Sequence, residues 1–175
     1  MRAIGFAGWS GAGKTTLIVR LIPELNGRGL SVSTIKHAHH GFDVDRPGKD
    51  SYQHRLAGAH EVLVASANRL ALMRELRGAP EPSLADLLRF LEPVDLILIE
   101  GFKSDPFPKI EVYRAANGKP LLHHADQNIA ALVSDCPAPP AHLPHASIDD
   151  IAAAADLVLT HAAPVAAVLE GLKRS

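Results

Sequence analysis

The chain has 175 residues, with 18 Lys+Arg against 19 Asp+Glu, and a formal net charge of −1 when its 10 histidines are neutral. Hydrophobic residues at 47% and charged residues at 21% exclude a disordered or collagen-like chain, and near-neutrality argues against a protein that coats a polyanion. The lone cysteine, Cys136, excludes an intramolecular disulfide framework and suits a reducing compartment. From the N-terminus, Ile4-Gly5-Phe6-Ala7 reads as a short strand, then a glycine-rich turn, then a helix in which Leu17, Ile18, Leu21, Ile22 and Leu25 recur at helical spacing. Pro23 falls inside that pattern and predicts a kink or a shift in hydrogen bonding. Residues 30–35 alternate as a second strand, a polar histidine-rich loop runs to Gly48, and a helix is expected over about 50–59.

Residues 62–65 and 70–73 read as strands around Asn68-Arg69, a candidate hairpin, and Ser83 with Asp86 opens a helix carrying Leu84, Leu87, Leu88 and Leu91. Residues 94–99 form the most continuous apolar run, which predicts a strand buried on both faces. Residues 110–113 and Leu121-Leu122 flank Asn117-Gly118 and predict another hairpin. A buried strand at 129–133, a proline-rich loop at 137–144, a helix capped by Ser147-x-x-Asp150 and a last helix over 165–173 complete the chain. This alternation predicts one α/β domain over residues 1–175, a mostly parallel sheet flanked by helices with a β-hairpin elaboration. No stretch approaches the roughly 20 uninterrupted apolar residues of a membrane span. The expectation is a soluble, cytoplasmic protein with neither membrane nor nucleic acid as partner.

Gly8-Trp9-Ser10-Gly11-Ala12-Gly13-Lys14-Thr15 matches G-x-x-x-x-G-K-[ST] in full, between a predicted strand and a predicted helix. Gly8, Ser10, Gly11, Ala12 and Gly13 supply a turn whose backbone N–H groups can face phosphate oxygens, at the positive end of the following helix dipole. Lys14 supplies a charge to the β- and γ-phosphates, and the Thr15 hydroxyl is a ligand type for Mg²⁺. Such a loop needs a carboxylate at the end of a second buried strand, and Leu96-Ile97-Leu98-Ile99-Glu100 provides one. Lys36, Lys49 and Lys103 add positive charge around one anionic site.

The polar loop holds Lys36-His37-Ala38-His39-His40 and, further on, Phe42, Asp43, Asp45 and Pro47-Gly48-Lys49-Asp50-Ser51. His39 and His40 are candidate ligands for Zn²⁺ or Ni²⁺, or ordinary hydrogen-bonding residues of a solvated loop; no four-ligand spacing decides between these. Asp45 and Asp50 are candidates for water-mediated contact with Mg²⁺. Asp135, ending a buried strand, is either an acceptor for guanine N1–H and N2–H₂ or a turn residue before Pro137. His123-His124 reads as surface, and Cys136 as structural.

With these motifs in view, the chain resembles the molybdopterin-guanine dinucleotide biosynthesis protein B (MobB) family. The resemblance rests on the phosphate loop, the Lys36–Ser51 block, Ala57-Gly58-Ala59, Leu98-Ile99-Glu100-Gly101-Phe102-Lys103 and Pro108-Lys109-Ile110-Glu111-Val112. It implies a dimeric GTP-binding protein with weak, Mg²⁺-dependent hydrolysis, acting beside the guanylyltransferase that joins GMP to molybdopterin. It further implies that Gly11, Gly13, Lys14, Thr15 and Thr16 hold phosphates and that Thr15 and Glu100 hold Mg²⁺. The loop from His37 to Ser51 would face the γ-phosphate or a molybdopterin-type ligand, and the hairpin at Asn117-Gly118 would serve dimerisation. Lys14, Glu100 and Asp50 are the candidates for catalysis; Asp45 and Asp50 are the bases a rival reading, a small-molecule kinase, would use. A second rival, a metallochaperone GTPase, would use His37, His39 and His40.

Overall fold

A computed structural model describes residues 1–38, 41–136, 140 and 142–174. They form two compact units, Met1–His37 with Leu84–Ser175, and Ala38–Ser83. The larger unit carries β1 (Arg2–Ala7), α1 (Lys14–Gly27), β2 (Val32–Lys36), α3 (Leu84–Phe90), β5 (Leu96–Glu100), β6 (Lys109–Tyr113), β7 (Ile129–Ser134), β8 (His145–Ser147), α4 (Ile151–His161), β9 (Ala163–Pro164) and α5 (Val165–Leu172). The smaller carries α2 (Asp50–Leu56), β3 (Glu61–Ala65) and β4 (Leu70–Arg74). His39 and His40, and residues 137–139 and 141 of the proline-rich loop, lie outside the described residues.

The main sheet runs β2-β5-β1-β6-β7-β8 with parallel neighbours, and β9 pairs antiparallel with the start of β1. Side chains alternate across a strand, so β1 sends Ile4 and Phe6 to one face and Ala3 to the other. On the first face they meet Leu17, Ile18, Leu21 and Leu25 of α1 and Ala154, Ala155 and Val158 of α4. On the second, Ala3, Ile97 and Ile99 meet Leu84 and Leu88 of α3 and Val168 of α5. The run at 96–99 is therefore buried on both faces, the reason it lacks polar residues.

Two local features differ in outcome: a proline is accommodated within a helix, and an expected hairpin does not form. Pro23 does not interrupt α1, which continues to Gly27. Pro23 is exposed, and Val19, whose carbonyl loses its i+4 donor, is 63% exposed, so water can satisfy that oxygen. The hairpin at Asn117-Gly118 is absent: Ala115–Asn117 forms a 3-10 turn closed by Gly118 in the left-handed region, and β6 pairs in parallel with β7. The turn chemistry is present, but the Glu111 carboxylate takes the Leu122 N–H (2.6 Å) and the His123 N–H (3.1 Å), so this segment builds no ladder with β6. The hairpin elaboration is β3–β4 instead, paired from Glu61↔Arg74 to Ala65↔Leu70.

The smaller unit is held by charge as much as by burial. Val62 is its one buried hydrophobic residue among those described, and α2 buries none. The Arg55 guanidinium donates to Asp43 Oδ2 (2.8 Å), Asp45 Oδ2 (3.2 Å) and Glu75 Oε1 (2.9 Å), tying the loop, α2 and the residue after β4 together. These carboxylates hold Arg55 well above its ordinary pKa, Asp43 contributing most. Arg55→Ala should therefore make residues 41–83 exchange amide hydrogens and admit protease faster, with the main sheet unchanged; equal protection in variant and wild type would refute this.

Candidate functional site

The sheet topology places the loop of residues 8–13 at the carboxyl end of β1, flanked by the ends of β5 and β6. Gly8 is required by close approach, because a Cβ there would run into the carbonyl oxygen of Val112 on β6. Gly13, in the left-handed region, is the N-cap of α1, and Leu17 N donates to its carbonyl at 2.9 Å. The loop thus delivers the first turn of α1, with its orphan N–H groups, to the open end of the sheet.

Lys14 lies across this loop, its ammonium donating to Gly8 O (2.8 Å) and Trp9 O (3.0 Å). Burial lowers its pKa; Glu100 opposes that effect, while Lys36 and Lys103 reinforce it. The next residue builds the second part of the site. Thr15 Oγ1 donates to Glu100 Oε1 at 2.8 Å. Lys36 Nζ, from the end of β2, stands 3.3 Å from both Thr15 Oγ1 and Glu100 Oε2. An ammonium is thus held against the hydroxyl and carboxylate that the sequence marks for a cation. A hydroxyl and a carboxylate beside a phosphate loop are hard oxygen donors, the set that suits Mg²⁺ with phosphate and water completing its shell.

The family model for molybdopterin guanine dinucleotide synthesis protein B matches residues 3–135. The chain is 46% identical over 137 residues to the molybdopterin-guanine dinucleotide biosynthesis adapter protein of Escherichia coli (strain K12), covering 77% of this chain and 78% of that one. The chain belongs to the MobB family. Its similarity to the adapter protein of the same name from Haemophilus influenzae is 43% over 137 residues, covering 77% of this chain and 75% of that one. The crystal structure of Bacillus subtilis MobB matches with a TM-score of 0.72 at 30% identity, covering 93% of this chain and 98% of that one. A crystal structure of a molybdopterin-guanine biosynthesis protein B matches at 0.70 and 27%, covering 90% and 98%.

In this MobB family member, Lys14, Thr15, Lys36 and Glu100 come together as expected from sequence. His37 joins them through its backbone, donating to Glu100 O at 2.8 Å, while its ring lies 4.8 Å from that of Phe102. Gly101 permits this crossing: at φ 109° it has no Cβ, and one there would sit 2.5 Å from His37 Cβ. Asp45, Lys49 and Asp50 belong to the smaller unit. Lys49 is the N-cap of α2 and Asp50 its first residue, where a carboxylate complements the helix dipole. Asp45 braces its own unit, accepting from Ser51 Oγ (2.8 Å), Arg46 N (3.0 Å) and Arg55 Nε. Burial pushes its pKa up, but these donors outweigh it and hold the carboxyl below its usual range. Among the described residues, no three His, Cys, Asp or Glu side chains gather to hold a metal ion.

Other contacts at the loop have no signal in the sequence. The segment after β6 is pinned to the loop's outer side: Trp9 Nε1 donates to Pro120 O (2.8 Å), and the Asn117 amide reaches Ser10 O (3.4 Å). Its far end is held by Glu111, which is fully buried and also meets His123 Nδ1 at 3.1 Å. His123 is not a surface residue: its side chain is 4% exposed and its ring lies beside those of His124 and His142. Nothing in the spacing of a paired histidine announces a carboxylate 12 residues earlier as its partner.

Proposed function

We propose that the protein is a Mg²⁺-dependent GTP-binding adapter in molybdopterin guanine dinucleotide synthesis, hydrolysing GTP slowly at most and working beside the guanylyltransferase that attaches GMP to molybdopterin. The observation that carries this reading is the convergence of Thr15, Glu100 and Lys36 at the mouth of the Lys14 loop, in a chain of this family. Backbone N–H groups of the loop and Thr16 bind phosphate oxygens, and Lys14 neutralises the β- and γ-phosphates. Thr15 and Glu100 hold Mg²⁺, which when bound screens the charge of the phosphates. Asp135 reads the base, its carboxylate accepting from guanine N1–H and N2–H₂ while Oδ1 keeps the bond from Ala115 N at 2.8 Å. The relatives' name, adapter protein, favours binding over turnover as the role.

The deciding experiment measures GTP and ATP affinity in parallel, with and without Mg²⁺ and the guanylyltransferase. GTP at least tenfold tighter than ATP and dependent on Mg²⁺ supports the reading. Multiple-turnover phosphoryl transfer from ATP would establish the kinase instead. Glu100→Gln should bind GTP with little benefit from Mg²⁺, because the amide keeps the shape and loses the charge the cation needs; an unchanged Mg²⁺ titration would remove Glu100 from the metal site. For the homodimer the candidate surface is the β3–β4 face on which Leu63, Leu70 and Leu72 are all exposed. Light scattering at micromolar concentration tests it, and a monomeric mass refutes it.

A further inference from the structure

The two flanks of the phosphate loop carry different chemistry. On the β5 side stand Glu100, Thr15 and Lys36, which suit a divalent cation and the terminal phosphate. On the β6 side stands Arg114, the residue after Tyr113, lying against the junction of loop and helix. The position a Cβ would take on Gly13 is 3.3 Å from Arg114 Nε and 3.7 Å from Nη2. Its guanidinium has five N–H donors, yet its ionic contact is with Asp135 Oδ2 at 3.9 Å. That separation exceeds a hydrogen bond, and both side chains are partly exposed (39% and 33%), so the pair is weak and readily exchanged.

We propose that Arg114 is a nucleotide ligand that grips the α-phosphate from the β6 flank of the loop and gives up Asp135 in doing so. This inference rests on the nucleotide-binding reading above. A triphosphate whose terminal end lies at the Thr15–Glu100 flank must run across the loop toward the opposite flank, where its nucleoside end meets β6 and β7. A planar guanidinium there can donate two parallel N–H bonds to phosphate oxygens, a stronger arrangement than its present contact. The exchange leaves Asp135 Oδ2 unpaired while Ala115 N still fixes Oδ1, so phosphate binding and base reading are coupled through one ion pair.

The test compares wild type, Arg114→Ala, Arg114→Lys and Lys14→Ala for binding of GTP and GDP with Mg²⁺, alongside melting temperatures without nucleotide. Arg114→Ala should weaken GTP and GDP alike, by about 10- to 100-fold, since both carry the α-phosphate. Arg114→Lys should recover part of the loss, having the charge without the fork. Should Arg114→Ala melt early, Arg114→Lys decides: affinity several-fold below wild type supports the proposal, and wild-type affinity overturns it. Arg114→Ala binding GTP within twofold of wild type while Lys14→Ala fails to bind overturns it too. A loss seen with GTP and not with GDP would put the guanidinium on the γ-phosphate and overturn its placement at the α-phosphate. Wild-type protein that binds neither nucleotide would instead overturn the underlying reading, before any variant is compared.

Discussion

Lys14→Ala is expected to abolish GTP binding at concentrations that saturate the wild-type protein. The Lys14 ammonium is half-enclosed by the loop and bonded to two of its carbonyls, so it meets phosphate oxygens with little reorganisation. Removing one partner of a hydrogen-bonded charge pair in such a site costs roughly 2–5 kcal/mol, about 30-fold to several thousand-fold in affinity. The pH dependence has a definite sign. Burial, with Lys36 and Lys103 adding to it and Glu100 opposing it, lowers the Lys14 pKa in the nucleotide-free protein, and bound phosphate raises it again. Affinity should fall as pH rises through that lowered value, with a proton taken up on binding in the alkaline range. Isothermal titration in buffers of different ionisation enthalpy measures both effects. A Lys14→Ala protein that binds GTP as wild type does would remove the phosphate loop from the proposed function altogether.

How much of this was legible in the sequence depended on how local each cause is. The strand–loop–helix of β1 and α1 is dictated by neighbouring residues, and an apolar run ending in Glu100 needs only its own pattern to read as a buried strand with a carboxylate at its end. The Asn68-Arg69 hairpin was equally local: Ser66 Oγ accepts from the backbone of both turn residues. Asn117-Gly118 shows where local reading stops. Its turn forms, but whether Leu121 and Leu122 pair with β6 depends on Glu111, whose carboxylate takes their segment's donors first. Arg114 was silent for a related reason. An arginine after a strand is ordinary in sequence, and only the parallel register of β6 with β1, Phe6↔Ile110 and Ala7↔Glu111, brings it to the loop. Asp45 was legible as important and not in what it does, since its partner Arg55 lies 10 residues away across a turn and a helix.

Glu111→Ala should cost the larger unit as much stability as truncating one of its buried aromatic residues. Glu111 has no solvent exposure and sits on β6, between β1 and β7, where an ionised carboxylate is tolerated only if its oxygens are bonded. Its partners supply this: Leu122 N to Oε1, and His123 N and Nδ1 to Oε2. His123 Nδ1 faces the carboxylate, and among the described residues its Nε2 is buried with no hydrogen-bond partner. Among the described residues, the histidine's hydrogen bonding comes from the Glu111 side alone. Removing that side strands two backbone N–H groups and the imidazole N–H together, each costing about 1–3 kcal/mol if it stays buried. Relief by local opening caps the sum, so roughly 3–5 kcal/mol is expected, a fall in melting temperature of about 6–20 °C for a chain of this length. Glu111→Gln keeps the shape and one acceptor but turns an amide donor toward another donor, so it should fall between the two. Because the same segment is pinned to Trp9 and Ser10 of the phosphate loop, opening it should also raise hydrogen exchange at residues 8–13. A Glu111→Ala protein melting within 2 °C of wild type, or one whose loop exchange is unchanged, would show that the buried dyad neither supports the fold nor steadies the loop.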